Sequence, residues 1–206
     1  MGRTPGTTPT ITTIALSWEQ RLTISADIAR GLRYLHDERH EPHGNLKASN
    51  VLIYVDGPNN LTARLSDYGL HSLMSKQMLT PSQNLNVNAL GYLAPELASV
   101  PKPTFAADIY ALGVLMLELW TGKCASDIIS GECGVVDLVD WVKSLVSQRR
   151  PLDCFDQSLL LDHLRDGLIR PKGMDEMLAL ALRCVSSHSS TRPSIASIYD
   201  EISSFC

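Results

Sequence analysis

The stretch Ile109–Leu119 is apolar on nearly every side, runs on into Trp120, and carries one acidic residue, Glu118. A helix without a polar face has no side to give to water, so other elements must wrap it. It cannot lie in a membrane instead, because the run is too short to cross a bilayer and Glu118 interrupts it. The chain is therefore expected to build its core around one central helix. With 206 residues, of which 44% are apolar, it has enough material for one domain.

The remaining elements can be read from pattern. Ser17-Trp18-Glu19-Gln20 has the form of a capping box, with a glutamine three residues after the cap. The helix it opens carries Leu22, Ala26, Ala29, Leu32 and Leu35 at helical spacing and runs into a charged stretch, Asp37–Glu41, before Pro42. Two short apolar runs follow, Val51–Val55 and Leu61–Leu65. They are separated by Asp56-Gly57-Pro58-Asn59-Asn60, which predicts a β-hairpin. Residues 70–91 are polar and aperiodic, the pattern of a long functional or disordered loop. Val135–Val146, Met174–Val185 and Ile195–Phe205 are amphipathic helix candidates, with Gly122, Gly131 and Gly134 marking a loop before the first of them. Residues 1–15, rich in Thr and Pro, are expected to be a disordered tail, and residues 16–206 the folded domain. The tail has no apolar core of a signal peptide, and Gly6 breaks a myristoylation pattern.

Charge and cysteine usage exclude some functions. A net charge of −4 argues against nucleic-acid binding, which needs a basic face. Cys124, Cys133, Cys154, Cys184 and Cys206 are scattered without a C-x-x-C pair, a pattern of free thiols rather than of metal or disulfide frameworks. Trp18, Trp120 and Trp141 are expected as core anchors. His36, His40, His71, His163 and His188 share no spacing and are expected at the surface or satisfied in the core.

Function is carried by an ordered set of short motifs. His43-Gly44-Asn45-Leu46-Lys47-Ala48-Ser49-Asn50 resembles the protein-kinase catalytic loop, H-R-D-L-K-x-x-N. After the hairpin, Asp67-Tyr68-Gly69 resembles D-F-G, and the long loop lies where an activation segment belongs. Gly91-Tyr92-Leu93-Ala94-Pro95-Glu96 resembles the A-P-E end of that segment, and Asp108-Ile109-Tyr110-Ala111-Leu112-Gly113 the start of the central helix. Arg192-Pro193 stands where the family places the arginine that pairs with the A-P-E glutamate. Over residues 16–206 the sequence is similar to plant receptor-like kinases with leucine-rich-repeat ectodomains. The H-G-N variant resembles members regarded as catalytically inactive. The implied fold is the C-terminal lobe of a protein kinase, mainly α within an α+β fold: a helical bundle with one small hairpin.

The resemblance also implies roles. Asn45 stands at the proton-acceptor position, where an amide has no useful basicity. Gly44 replaces the arginine that contacts a phosphorylated activation segment, so Ser72, Ser75, Thr80 or Ser82 could not act through it. Lys47 would face the transferred phosphate. Asn50 and Asp67 would bind Mg²⁺, or persist only to brace the loop. Tyr68 is expected to pack beside His43, with Gly69 completing the turn. Asp108 would brace the catalytic loop, and Glu96 and Arg192 would form a buried ion pair.

Absences complete the expectation. No G-x-G-x-x-G precedes His43 and no lysine precedes Lys47, so the N-terminal β lobe, which roofs the nucleotide, is expected to be absent. ATP and Mg²⁺ are cofactors by resemblance only. The expected function is a non-catalytic signalling module binding other proteins, with a fragment of an active Ser/Thr kinase as the alternative. Self-association through the uncovered lobe face is a further expectation. The place would be the cytoplasm, at the inner face of the plasma membrane if the chain belongs to a full receptor.

Overall fold

A computed structural model describes residues 15–57, 60–70, 91–98, 102–125, 129–131, 134–160 and 171–206. Residues 1–14 of the proposed tail, residues 71–90 of the long loop with its four hydroxyl residues, Cys133 and His163 lie outside the described residues.

The central helix, α2, spans Phe105–Thr121. Thr104 caps it by accepting from the Ala107 N–H at 3.0 Å. Gly122 ends it in the left-handed region (φ 68°), donating its N–H to the Glu118 carbonyl. Leu112, Val114, Met116, Leu117 and Trp120 are fully enclosed, as an all-apolar helix requires.

Helix α1, Trp18–Arg33, starts at the capping box, with Ser17 Oγ accepting from Gln20 N and Gln20 Oε1 accepting from Ser17 N. Its buried stripe is Trp18, Arg21, Leu22, Ser25, Ile28, Ala29 and Leu32. A π-helical turn, Tyr34–Glu38, prolongs it through the charged stretch that suggested its end, and buries Leu35 and His36. Strands β1 (Val51–Val55) and β2 (Leu61–Leu65) pair antiparallel, Val51 opposite Leu65 and Val55 opposite Leu61. Strand β2 alternates: Leu61 and Ala63 are buried, Thr62 and Arg64 exposed. Strand β1 leaves Leu52, Ile53, Tyr54 and Val55 exposed on both faces. The hairpin sits on α1, where Asp27 Oδ2 accepts the Ala63 N–H at 2.8 Å.

The chain between α2 and the next helix holds a two-strand ribbon, β3 (Ile129–Gly131) and β4 (Gly134–Val136), where the glycines had suggested only a loop. Helix α3 (Leu138–Ser147) consequently starts later than expected, capped by Asp137. Helices α4 (Met174–Cys184) and α5 (Ile195–Ser203) close the bundle, α4 against α2 and α5 against α1. The α2–α4 crossing is tight. A Cβ on Gly113 would lie 2.6 Å from Cys184 Cβ and 2.8 Å from Val185 Cγ1.

Trp18 and Trp120 anchor the core together, ring centroids 4.9 Å apart. Trp141 packs against the core only in part: it is half-buried on α3, with the Lys123 ammonium 5.2 Å above its ring. The core also contains an ion pair that sequence reading did not single out. Arg21, 5% exposed, donates to Asp156 Oδ2 (2.6 Å) and to the carbonyls of Leu16 and Leu119. It ties the start of α1 to the end of α2. No helix among the described residues is long and apolar enough to cross a membrane.

Candidate functional site

The site is a loop hung from the central helix by one carboxylate. Asp108, in the first turn of α2, is 3% exposed. Its Oδ2 accepts the His43 N–H at 2.7 Å and a bond from His36 Nε2 at 2.9 Å; its Oδ1 accepts the Gly44 N–H at 2.9 Å. A carboxylate only accepts, so His36 carries its proton on Nε2. His36 is thus a satisfied core histidine with a structural task. Nothing near it in the chain points to its partner, which lies 72 residues away.

Gly44 takes φ 72°, where a side chain would strain the backbone. His43 is fully buried, and its Nδ1 accepts from Asn45 N at 3.3 Å. The ring proton therefore stands on Nε2, which is buried without a hydrogen-bond partner among the described residues. Burial lowers the His43 pKa against the opposing pull of Asp108, so the ring stays neutral near pH 7.

The loop is next tied to the hairpin and to the D-Y-G turn. Asn50 is buried and donates its Nδ2 to the Asn45 carbonyl at 2.8 Å. Its own carbonyl accepts from Ser66 N at 2.9 Å. Gly69 N donates to the His43 carbonyl at 3.0 Å. Between them Asp67 is exposed and left-handed (φ 57°). Tyr68 meets His43 edge-on, centroids 6.5 Å apart, yet remains 56% exposed. Its hydroxyl therefore needs no buried partner, and its packing role is limited to one ring edge.

A cavity of about 100 Å³ opens beside the loop, lined among others by Gly44, Asn45, Lys47, Tyr92 and Leu93. Asn45 and Lys47 are half-buried there. Asn45 bonds through its main chain, and neither the Asn45 amide nor the Lys47 ammonium has a side-chain partner among the described residues.

The G-Y-L-A-P-E segment is fastened at both ends. Tyr92 Oη donates to Glu118 Oε2 at 2.5 Å and accepts from Ala48 N at 3.3 Å. Burial, then the bond to Glu118, pushes the Tyr92 phenol well above its usual range. Gly91 lies against the Ala125 backbone, where a Cβ would come within 2.6 Å of the carbonyl oxygen. At the other end Arg192 donates to Glu96 Oε1 (2.6 Å) and Oε2 (2.8 Å), and also to the Ala106 and Ser186 carbonyls. The Arg192 side chain is 1% exposed, but that of Glu96 is 29% exposed, so the pair is buried from one side only. The bonds from Arg192 hold the Glu96 carboxyl below the usual carboxylate range.

Comparison with known proteins agrees with this arrangement. Residues 11–202 match the family described as protein tyrosine and serine/threonine kinase. Over 92% of its length the chain is 50% identical to "LRR receptor-like serine/threonine-protein kinase GHR1" of Arabidopsis thaliana and 44% identical to "Probable inactive receptor kinase At5g10020" of the same plant. It spans only 18% and 17% of those two proteins. Among solved structures, the maize SIRK1 kinase domain bound to AMP-PNP superposes with a TM-score of 0.77 at 44% identity, covering 92% of this chain and 60% of that one. The pseudokinase domain of BIR2 superposes at 0.68 with 34% identity, covering 92% and 53%. With the kinase motifs in order on a kinase fold, the chain belongs to the protein tyrosine and serine/threonine kinase family, in the company of plant receptor-like kinases.

Proposed function

We propose that the chain is a kinase-like signalling module that does not transfer phosphate and acts by binding other proteins. Asn45 carries the reading. It occupies the position of the proton acceptor in H-R-D, and an amide neither takes the substrate proton nor bears the charge that orients a hydroxyl. Loss of a general base costs about 10²–10⁴ in rate. The similarity to a relative named as an inactive receptor kinase and to the BIR2 pseudokinase domain supports the same reading. In this proposal residues 16–206 form the C-terminal lobe, placed in the cytoplasm at the membrane face when part of a receptor.

The nucleotide machinery is retained in part. Asn50 gives its amide nitrogen to Asn45, which leaves its oxygen to spare, and Asp67 offers an exposed carboxylate. Two oxygen donors of this kind suit a hard cation, so Asn50 and Asp67 would hold Mg²⁺, and Lys47 would face a phosphate. When bound, Mg²⁺ would neutralise phosphate charge. These residues favour a second reading, a piece of an active Ser/Thr kinase, as does the AMP-PNP-bound maize relative.

The test is Mg²⁺-dependent transfer of radiolabelled phosphate from ATP to a generic protein substrate. No labelling is expected. Robust labelling by the unaltered chain would refute the non-catalytic reading and establish the second.

A further inference from the structure

We propose that strand β1 pairs with the same strand of a second copy of this chain, joining two hairpins into one four-stranded antiparallel sheet. The inference rests on the protein-binding part of the reading above and names a partner for it.

The hydrogen bonds of the hairpin have a parity. Asp56 donates its N–H to the Asn60 carbonyl at 2.8 Å, and Ser66 donates to the Asn50 carbonyl at 2.9 Å. With Val51 opposite Leu65 and Val55 opposite Leu61, the even-numbered residues of β1 are the ones bonded to β2. Val51, Ile53 and Val55 turn their N–H and C=O groups the other way. On β2 the outward groups belong to Leu61, Ala63 and Leu65, and there α1 meets them: Asp27 Oδ2 accepts the Ala63 N–H at 2.8 Å. A side chain of α1 thus closes the outer edge of β2 to a further strand. The outer edge of β1 has no such cover. No strand lies beside it among the described residues, and no described residue bonds the outward main-chain groups of Val51, Ile53 and Val55.

The side chains leave the same edge unguarded. Edge strands are ordinarily blunted by a charge, a proline or a bulge. Val51-Leu52-Ile53-Tyr54-Val55 carries no charge and no proline, and it pairs with β2 without a bulge. Leu52, Ile53, Tyr54 and Val55 are 45%, 43%, 52% and 68% exposed. Val51 and Ile53 also line an apolar groove of about 300 Å³, whose other walls include Ile24, Ile28, Leu115 and Leu119. An added strand therefore finds apolar cover as well as main-chain partners.

The strand is its own complement. Antiparallel pairing about a two-fold axis at Ile53 sets Ile53 opposite its own copy and Val51 opposite Val55. These are the outward-turned residues, so all three pairs are of the kind that exchanges two main-chain bonds. Any other register matches fewer of these groups. Between them Leu52 meets Tyr54, so every cross-strand pair is β-branched or joins an aromatic ring to an aliphatic chain. Like charges stay apart. Asp56 falls opposite Asn50, and the two Asp56 carboxylates are separated by about 20 Å along the strands. The two Arg64 residues stand three strand spacings apart, about 14 Å, which exceeds the screening length of about 10 Å. Both edges closed by Asp27 end on the outside, so the assembly stops at two copies.

The contact is small beside the roughly 1,200–2,000 Å² of a stable complex, so a weak dimer is expected. Sedimentation velocity of the whole chain should show monomer at about 1 µM and mostly dimer at about 200 µM. Over the same range, amide exchange read by NMR should slow about fivefold at Ile53 and Val55. It should stay unchanged at Leu52 and Tyr54, already bonded to β2. Ile53→Lys and Val55→Lys should each remain monomeric, with thermal melts confirming that they fold. On mild oxidation Ile53→Cys should form a disulfide between copies, mapped by mass spectrometry. Val55→Cys, about 14 Å from its own copy, should not. A monomer at both concentrations, a dimer that survives both lysine variants, or slowed exchange at Leu52 and Tyr54 instead would overturn the inference. Transfer of labelled phosphate to a protein substrate, measured in the same samples, would overturn the non-catalytic reading and leave the pairing standing. The two failures are thereby told apart.

Discussion

Asp108 offers the sharpest test of how the loop is held. Asp108→Ala removes the acceptor of three donors at once. Gly44 is exposed, so its N–H can turn to water. The His43 N–H and His36 Nε2–H are buried and cannot. Each buried donor left without an acceptor costs about 1–3 kcal/mol, so the pair amounts to about 2–6 kcal/mol. That is a large share of the roughly 5–15 kcal/mol that holds a domain together. Asp108→Asn separates geometry from charge. Its one oxygen can serve His43 and His36 in place of Oδ2, while its N–H₂ faces the Gly44 N–H. A smaller loss of about 1–3 kcal/mol follows. Urea denaturation at constant m-value should rank wild type above Asn above Ala. Hydrogen exchange at His43 and Gly44 should accelerate in the same order. An Ala variant with an unchanged midpoint and unchanged exchange at these two amides would show that α2 does not hold the loop.

Four further outcomes are expected. Glu96→Ala leaves the Arg192 guanidinium buried with only two carbonyl acceptors, and Arg192→Ala empties a core position; each should destabilise by about 3–5 kcal/mol in thermal or urea melts. The Glu96 carboxyl is held low by Arg192, so its stabilisation is full above the ordinary carboxylate range of about pH 4 and is lost as pH falls through the depressed folded value. Glu96→Gln should flatten that part of the stability–pH curve, and an unchanged acid limb would contradict the assignment. Gly113→Ala should cost about 1–3 kcal/mol by forcing α4 away from α2; an unperturbed melting temperature would mean that the crossing has slack. Leu52, Ile53, Tyr54, Val55, Tyr68 and Leu70 stand exposed along the hairpin and the D-Y-G turn, so the chain should bind a hydrophobic dye or self-associate, and a dye-silent monomer would show that face to be covered.

Local chemistry explains what could be read in advance. Turn residues Asp56 and Gly57 and two β-rich runs were enough to place the hairpin, because turn length fixes register. The cap at Ser17 and the all-apolar α2 were equally plain. Strands β3 and β4 were missed because three residues each give no period, and their glycines resemble those of a loop. The Arg21–Asp156 pair had half a signal. Arg21 falls on the apolar stripe of α1 with Trp18, Leu22 and Ser25, and a charge there calls for a partner, but nothing local points 135 residues ahead to Asp156. Asp108, Glu96 and Arg192 could be picked out by motif. The one-sided burial of Glu96, the role of His36 and the clasp of Tyr92 on Glu118 depend on elements that meet only after folding.

The left-handed backbone at Gly44 gives this loop a direction of change. Any residue but glycine at φ 72° stores about 1–2 kcal/mol of strain, so an arginine there must be held by something that offsets it. Glycine carries no such strain, and the loop rests relaxed on Asp108. Gly44→Arg starts uphill, since it adds the strain before any phosphorylated segment is present to engage the new side chain. A larger side chain at this position therefore weakens the loop's hold on Asp108 unless a partner for that side chain is already in place.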